Sequence, residues 1–511
     1  MGQVRCVLAA LSVAVVLFSA PPAPAQKSKD TLRMPINLGT SAIDYYNDPS
    51  ATENTWGPSF YDTLIDFDAE AGKFVPRLAK AWQHIDDKTL EFELRDDVNF
   101  HDGQKMDADD VVHIVNWLVD PKVVLRLKAN WDHIKSTEKI DQFKVRIHLN
   151  QPTPFDLMRF AYGTYIYAEH VHSALERKET YGQAAVGTGP LRAIKIDKNT
   201  GIVAEPSKNY VHAGHTKPAP KIGRIVAEPI PDEGTRVAQL IANGADLIDG
   251  IDVLQAKTIA ADPQFKLTIQ QGLSFHYLAI PAQGRKNIPA LADPRVRQAI
   301  GKALDISALE EIVYGGTKLP LKFEAVCWKV QIGCDYSKTT PAYDPEGAKK
   351  LLAEAGFAGG FNVEMTTFAG ITKQPAEAAA NMLHQVGIRA SVRPVPIPVA
   401  RNLERDGKLQ LTYYGWGGGG MYDSSGAMVR FFVREEFGDQ KLSDMANATL
   451  SITDPKERMA MTAKVIDYAV ENGYVFPTTS NPEVFVSRAE LNVSSPVLRP
   501  NGPLASDFSW K

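Results

Sequence analysis

A chain of 511 residues has room for about three domains. Its 44% hydrophobic and 23% charged residues are ordinary for a folded globular protein, which excludes fibrous and low-complexity classes. Lys and Arg total 56 against 60 Asp and Glu, a net charge of -4; so balanced a chain lacks the basic field that phosphate backbones demand, and nucleic acid is not an expected partner.

Met1 and a lone Arg5 precede an apolar run from Val7 to Ala20, and Ala23 and Ala25 then stand before Gln26 at the small-residue positions of a cleavage site. This predicts a secretory signal peptide over residues 1–25, removed after Ala25. The run is shorter than the ~20 residues that a bilayer core requires, and no apolar run of that length recurs. The expected mature protein is exported and soluble, and Cys6 leaves with the leader.

Tyr45 and Tyr46 follow the first predicted strand; either they reach a ligand cleft or they pack in the core or on the surface. Leu90, Phe92 and Leu94 alternate with Glu91, Glu93 and Arg95, and Val145, Ile147 and Leu149 alternate with Arg146 and His148, the period of half-buried strands. Between them Asp107 is placed to cap a helix whose Val111, Val112, Val115, Leu118 and Val119 share one side, ending before Pro121. His101, Asp102, Asp107, Asp109, Asp110 and His113 form the densest group of metal-type ligands. Their spacing favours structural roles: a tight turn at Asp102-Gly103, a cap at Asp107, and anions in the first helical turn. No metal and no cofactor is expected.

Asp-Pro opens three later helices, at Asp293-Pro294, Asp344-Pro345 and Asp454-Pro455, the last with Glu457 at the capping-box position. Their apolar stripes are read as core: Val296, Ala299, Ile300, Ala303 and Leu304; Ala348, Leu351, Leu352 and Ala355, stopping at Gly356; and Met459, Ala463, Ile466 and Val470, stopping at Gly473. Cys327 and Cys334 are spaced to close a small surface loop as a disulfide in an oxidising compartment, with a zinc half-site as the alternative. The run Gly417, Gly418, Gly419 and Gly420 is flanked by Tyr413, Tyr414, Trp416, Tyr422 and Asp423. It reads either as a ligand-facing loop, whose bare backbone approaches a solute between aromatic walls, or as a flexible turn beside a core strand.

HExxH, GxxxxGK[ST] and GxSxG are all absent from the sequence, so its motifs point to no hydrolase or phosphate-binding site. Pro76, Leu78, Ala79, Trp82, then Phe92, Leu94, Arg95, Val98, Phe100, His101, Asp102, Gly103, Ala108, Asp110 and Val111 form an ordered signature. Gly187-Thr188-Gly189-Pro190, Asn209-Tyr210, the segment from Asp293 to Ile300, Asp344 through Gly356 and Gly415-Trp416 continue it. Together they resemble the family 5 extracellular solute-binding proteins of ABC importers, the peptide, nickel and opine binders.

The resemblance implies an α/β fold: a two-lobed periplasmic binding protein clamp, type II-like, with an extra inserted subdomain. It places a main lobe in residues 26–57, 184–272 and 483–511, an inserted small domain in 58–183, and a closing lobe in 273–482. It implies a monomer that binds without catalysis and delivers its solute to a membrane permease. Binding shifts the population toward the closed form, which docks. Peptide binders of this family commonly carry an Asp three residues after the Trp, where it meets the peptide ammonium. Here that position is Gly419, and the next carboxylate is Asp423.

Expected ligand contacts are therefore Trp416 and Tyr414 as walls, Gly417, Gly418 and Gly419 through their backbone, Asp423 as charge anchor, and Tyr45 and Tyr46. A peptide or peptide-like solute ranks first; a nickel chelate, an opine or an oligosaccharide are alternatives. A secreted hydrolase and a sensor or chaperone binding domain are the rival classes.

Overall fold

The computed structural model describes residues 30–37, 39–47, 51–69, 71–125, 128–211, 217–370, 372–417, 422–433, 437–493 and 504–511. The expected leader, its cleavage point and Cys6 lie outside these residues, as do Gly418, Gly419 and Gly420. Among the described residues no helix is long and apolar enough to cross a membrane.

The strands sort into sheets by chain region. Thr31–Arg33, Arg224–Ala227, Gly201–Pro206 and Leu191–Asp197 form one four-stranded sheet in that order. Ala79–Asp86, Thr89–Leu94, Lys144–Leu149 and Ile134–Asp141 form another, wholly from within the expected insertion. The expected strands at 90–94 and 145–149 are its two central members, and Leu90, Phe92, Leu94, Val145, Ile147 and Leu149 are all buried. A five-stranded sheet orders Ile388–Val395, Phe361–Phe368, Leu411–Trp416, Phe275–Ala279 and Val475–Ser480. Its first three strands run parallel, and the helix Lys373–Gln385 makes the crossover that parallel pairing requires. A three-stranded sheet of Leu247–Asp249, Glu483–Arg488 and Phe265–Gln270 receives the chain as it leaves the five-stranded one.

Local chemistry sets the helix starts. Asp107 caps Ala108–Val119 by accepting from the Asp109 amide at 2.9 Å. Asp293, Asp344 and Asp454 accept from the amides of Arg295, Gly347 and Glu457 at 2.8, 2.8 and 2.9 Å, each with Pro in the first turn. The reciprocal capping box forms at Asp107 and Asp110; at Asp454 the hydrogen bonds show only the forward half. The stripe expected on Pro455–Glu471 is corrected: Met459 is 39% exposed, and the face turned inward carries Arg458, Thr462, Val465, Ile466, Ala469 and Val470. A charged residue occupies the core position because Asp423 neutralises it there.

Cys327 and Cys334 are joined as a disulfide. Replacing both with Ser is expected to cost about 2 to 3 kcal/mol, the chain entropy regained by so short a loop; urea unfolding with and without reductant measures it.

The family-like motifs have a shared packing reason. A Cβ on Gly187 would lie 2.1 Å from the Phe60 carbonyl oxygen and one on Gly189 2.5 Å from the Phe60 carbonyl carbon, so only glycine lets this run approach. The Gly187 amide donates to Nδ1 of His101 at 3.2 Å, and His101 Nε2 faces the Gly189 carbonyl at 3.0 Å. Burial pushes the His101 pKa down, so the neutral ring with its proton on Nε2 fits both bonds. Asp62 completes this joint, taking Lys217 at 2.6 Å, Arg77 at 3.2 Å and the Thr188 hydroxyl at 3.0 Å. Burial would raise its pKa, but the two cations hold it below the usual carboxylate value.

Candidate functional site

Trp416 ends the strand Leu411–Trp416, at the carboxyl edge of the parallel part of the five-stranded sheet. Open α/β sheets bind ligands beyond that edge. Its indole is half-buried, with edge contacts to Phe275 at 5.4 Å and Phe431 at 5.3 Å, and Gly417 beside it is exposed. Tyr414 stands two residues earlier on the same strand. It is buried and its ring stacks on Phe368 at 4.2 Å, so it is a wall of the sheet behind Trp416 and not a free aromatic face.

The chain beyond the glycines is held at Asp423. Its carboxylate takes both terminal nitrogens of Arg458, one at 2.9 Å, and accepts from the Ser425 amide at 2.8 Å. Both side chains are buried. The disulfide loop joins this knot: the Ile332 amide donates to the Tyr422 carbonyl and the Ser424 amide to the Ile332 carbonyl, at 2.7 and 2.9 Å. Gly333 has φ +74, and a Cβ there would sit 3.0 Å from the Arg458 guanidinium carbon. The charge expected to meet a ligand ammonium is therefore balanced inside the protein by Arg458.

Facing this knot is the segment that follows the four-stranded sheet of Ala79–Asp86, Thr89–Leu94, Lys144–Leu149 and Ile134–Asp141. A cavity of about 310 Å3 lies between them, lined on one side by Phe74, His84 and the stretch from Pro152 to Met158, and on the other by Ile332, Asp423 and Thr453. The two sides touch where the Phe67 and Tyr422 rings approach to 5.2 Å. Asp156 holds His84 at 2.9 Å, and this bond raises the His84 pKa.

Tyr45 and Tyr46 lie on the same side as that segment. Tyr46 is fully buried and its hydroxyl donates to the Tyr165 carbonyl at 2.6 Å, a core role. Tyr45 packs its edges on Tyr46, Trp131 and Tyr165 at 5.8, 6.5 and 5.4 Å. Burial raises its phenol pKa, while the charge of Arg159 pulls it back.

Arg159 and Arg458 were not among the residues the sequence singled out: Arg458 is marked by its buried pairing with Asp423, and Arg159 by a partly buried guanidinium that pairs with no carboxylate among the described residues. The six acids and histidines of the sequence cluster all meet protein partners. His101 docks the glycine run, Asp102 meets His170 at 2.7 Å, and Asp107 caps its helix. Asp109 meets Lys139 at 2.8 Å and His113 meets His172 at 2.8 Å. Asp110 accepts from the amides of Asp107 and Glu169, with burial lifting its pKa to about 6. Among the described residues no group of three or more His, Cys, Asp or Glu is placed to hold a metal ion.

Comparison with known proteins places this arrangement. The model of the bacterial extracellular solute-binding proteins, family 5, matches residues 73–439. Heme-binding protein A of Haemophilus influenzae is 29% identical over 398 residues, covering 71% of this chain and 70% of its own. The glutathione-binding protein GsiB of Pectobacterium atrosepticum is 26% identical over 404 residues, covering 77% and 75%. The solved structure of DppA from Helicobacter pylori in complex with the peptide STSA superposes with a TM-score of 0.74 at 19% identity, covering 94% of this chain and 98% of that one.

Proposed function

The chain belongs to the family 5 bacterial extracellular solute-binding proteins, a non-enzymatic, two-lobed α/β component of ABC importers, and from that premise we propose that its solute is a peptide or peptide-like molecule held between Trp416 and the segment that carries Arg159. The observation that supports a site between the two sides is the cavity of about 310 Å3 lined from one side by the stretch from Pro152 to Met158 and from the other by Ile332, Asp423 and Thr453, with Trp416 outside its lining; its volume is near the lower end of the range that small-molecule pockets occupy. The relatives named for glutathione and for a bound peptide support the peptide class.

The lobes we assign are residues 26–57, 184–272 and 483–511 for the main lobe, 58–183 for the inserted domain and 273–482 for the closing lobe. The segregation of strands supports this division: one four-stranded sheet draws only on the first set, the other only on the insertion, and the five-stranded sheet only on the last. The chain acts as a monomer in the periplasm after cleavage behind Ala25, and its docking partner is the permease. Trp416 and Gly417 contact the solute, with Gly418 and Gly419 beside them, and Tyr414, Tyr45 and Tyr46 support the walls from behind. Asp423 supports the site through its pairing with Arg458.

Native mass spectrometry of protein from its own host, with extraction of whatever small molecule travels with it, tests the ligand class; a carried sugar or metal chelate would end the peptide reading. With that molecule in hand, Trp416→Ala is expected to abolish most of the ligand-induced rise in Tm while leaving the ligand-free Tm within a few degrees. An unchanged rise removes Trp416 from the site.

A further inference from the structure

We propose that Arg159 is the anion receptor of the cleft, taking a carboxylate of the solute in a forked, two-point contact. This rests on the solute-binding reading and names the chemistry of its ligand. Arg159 lies on the short helix Asp156–Ala161, directly after the stretch from Pro152 to Met158 that lines the interlobe cavity. It is half-buried, and among the described residues no carboxylate forms an ion pair with it and no acceptor takes a hydrogen bond from its side chain. Its Nε is fully buried without a partner, whereas its two terminal nitrogens do not share that enclosure. Arg159 is not itself part of the cavity lining, but its guanidinium lies 5.5 Å from the ring of Phe155, which is, so the fork stands beside that cavity.

The groups around Arg159 leave its charge unspent. Phe155 offers a ring face at 5.5 Å. His133 is kept neutral, its pKa pushed down to about 3 by burial and by the Arg159 charge. Tyr45 is a neutral phenol. Burial pulls the Arg159 pKa below that of a free guanidinium, with Tyr45 and then Asp423 opposing it; Arg458 already occupies both oxygens of Asp423. Asp423 and Arg458 cancel, and Arg159 remains as a cation without a counter-charge. A desolvated, unpaired guanidinium is costly to a fold, and such costs persist where a site uses them. Its planar fork matches a carboxylate in two-point geometry. The free C-terminus of a peptide supplies that group, so Arg159 performs at the carboxylate end the selection that the missing Asp at position 419 does not perform at the ammonium end.

The test uses the full mature chain and two probe sets. The first is a tripeptide library with free C-termini and the same library as C-terminal amides; the second is acetate, succinate and citrate at millimolar concentration. We expect the free-acid library to raise the Tm of the wild-type protein and the amide library to do so far less. Arg159→Met should weaken binding of the selected acid by about 100-fold, the loss of a charge-assisted pair, and Arg159→Lys should restore part of it. Without ligand, Arg159→Met should melt at or above the wild-type temperature, because an unpaired charge has been removed; a markedly lower Tm assigns Arg159 a structural role and overturns the proposal. Equal shifts by acids and amides overturn it while the peptide reading stands. If neither peptide library acts but the small acids bind and lose affinity in Arg159→Met, the peptide reading falls and the anion receptor stands. Silence from every carboxylate overturns the proposal.

Discussion

Asp423→Ala is expected to destabilise the folded chain by about 3 to 5 kcal/mol, the usual cost of stranding one member of a buried ion pair. Arg458 has a side chain only 3% accessible and sits on the inward face of its helix, so it cannot recover the lost partner by turning to water. Three segments meet at this pair: the disulfide loop through Ile332 and Gly333, the stretch after the glycine run, and the helix Pro455–Glu471. Removing the carboxylate therefore frees the stretch from Tyr422 to Ser425 from the other two segments, and ligand affinity should fall together with stability.

The double replacement Asp423→Leu with Arg458→Met separates charge from packing. It removes both desolvated ions and should recover most of the lost stability, since apolar substitutes for a buried pair are often neutral or better. Urea unfolding of the two single variants and the double variant gives the coupling energy directly. Single changes that cost less than about 1 kcal/mol, as exposed pairs do, would show that the pair does not hold these segments together.

The contrast between Asp423 and the helix caps shows which parts of the molecule were legible in the sequence. Asp107, Asp293, Asp344 and Asp454 act on amides two or three residues away, so their roles follow from local spacing alone. The strands at 89–94 and 144–149 were legible for the same reason, because period-two alternation is a property of the segment itself. Asp423 and Arg458 meet across a fold. Nothing near either residue in the chain announces the other, and a stripe drawn through apolar residues picked Met459 over its buried neighbour.

Composition drew attention to the glycine run and its aromatics, and Trp416 stands half-buried at the end of its strand with Gly417 exposed beside it. Tyr414 and Tyr46 turned out to be packed, since an aromatic residue serves a wall and a core equally well. Arg159 was silent because its only distinguishing feature is the lack of a partner, which sequence does not record.

Glu483→Gln should leave stability at pH 5 nearly unchanged and raise it at pH 8 by roughly 3 kcal/mol. Glu483 opens the strand Glu483–Arg488 where the chain leaves the five-stranded sheet, and it pairs in register with Gln270. Burial, reinforced by the nearby charge of Asp249, lifts its pKa from an ordinary 4.5 to about 8. Asp249 is likewise raised by burial, with Arg236 pulling it back. Between these two pH values the folded protein keeps a proton on Glu483 that the unfolded chain has released. The folded state then binds more protons, so stability falls as pH rises through this window and levels off above about pH 8. Each unit of displacement is worth about 1.4 kcal/mol, and a group that retains some contact with solvent realises only part of the full difference, hence roughly 3. Glutamine copies the neutral acid in shape and carries no such penalty, so its unfolding free energy should stay flat where that of the wild-type protein declines. Urea midpoints at pH 5, 6, 7 and 8 decide the matter: parallel curves for the two proteins would mean that Glu483 is ionised in the fold at neutral pH and that its carboxylate has found water or a cation.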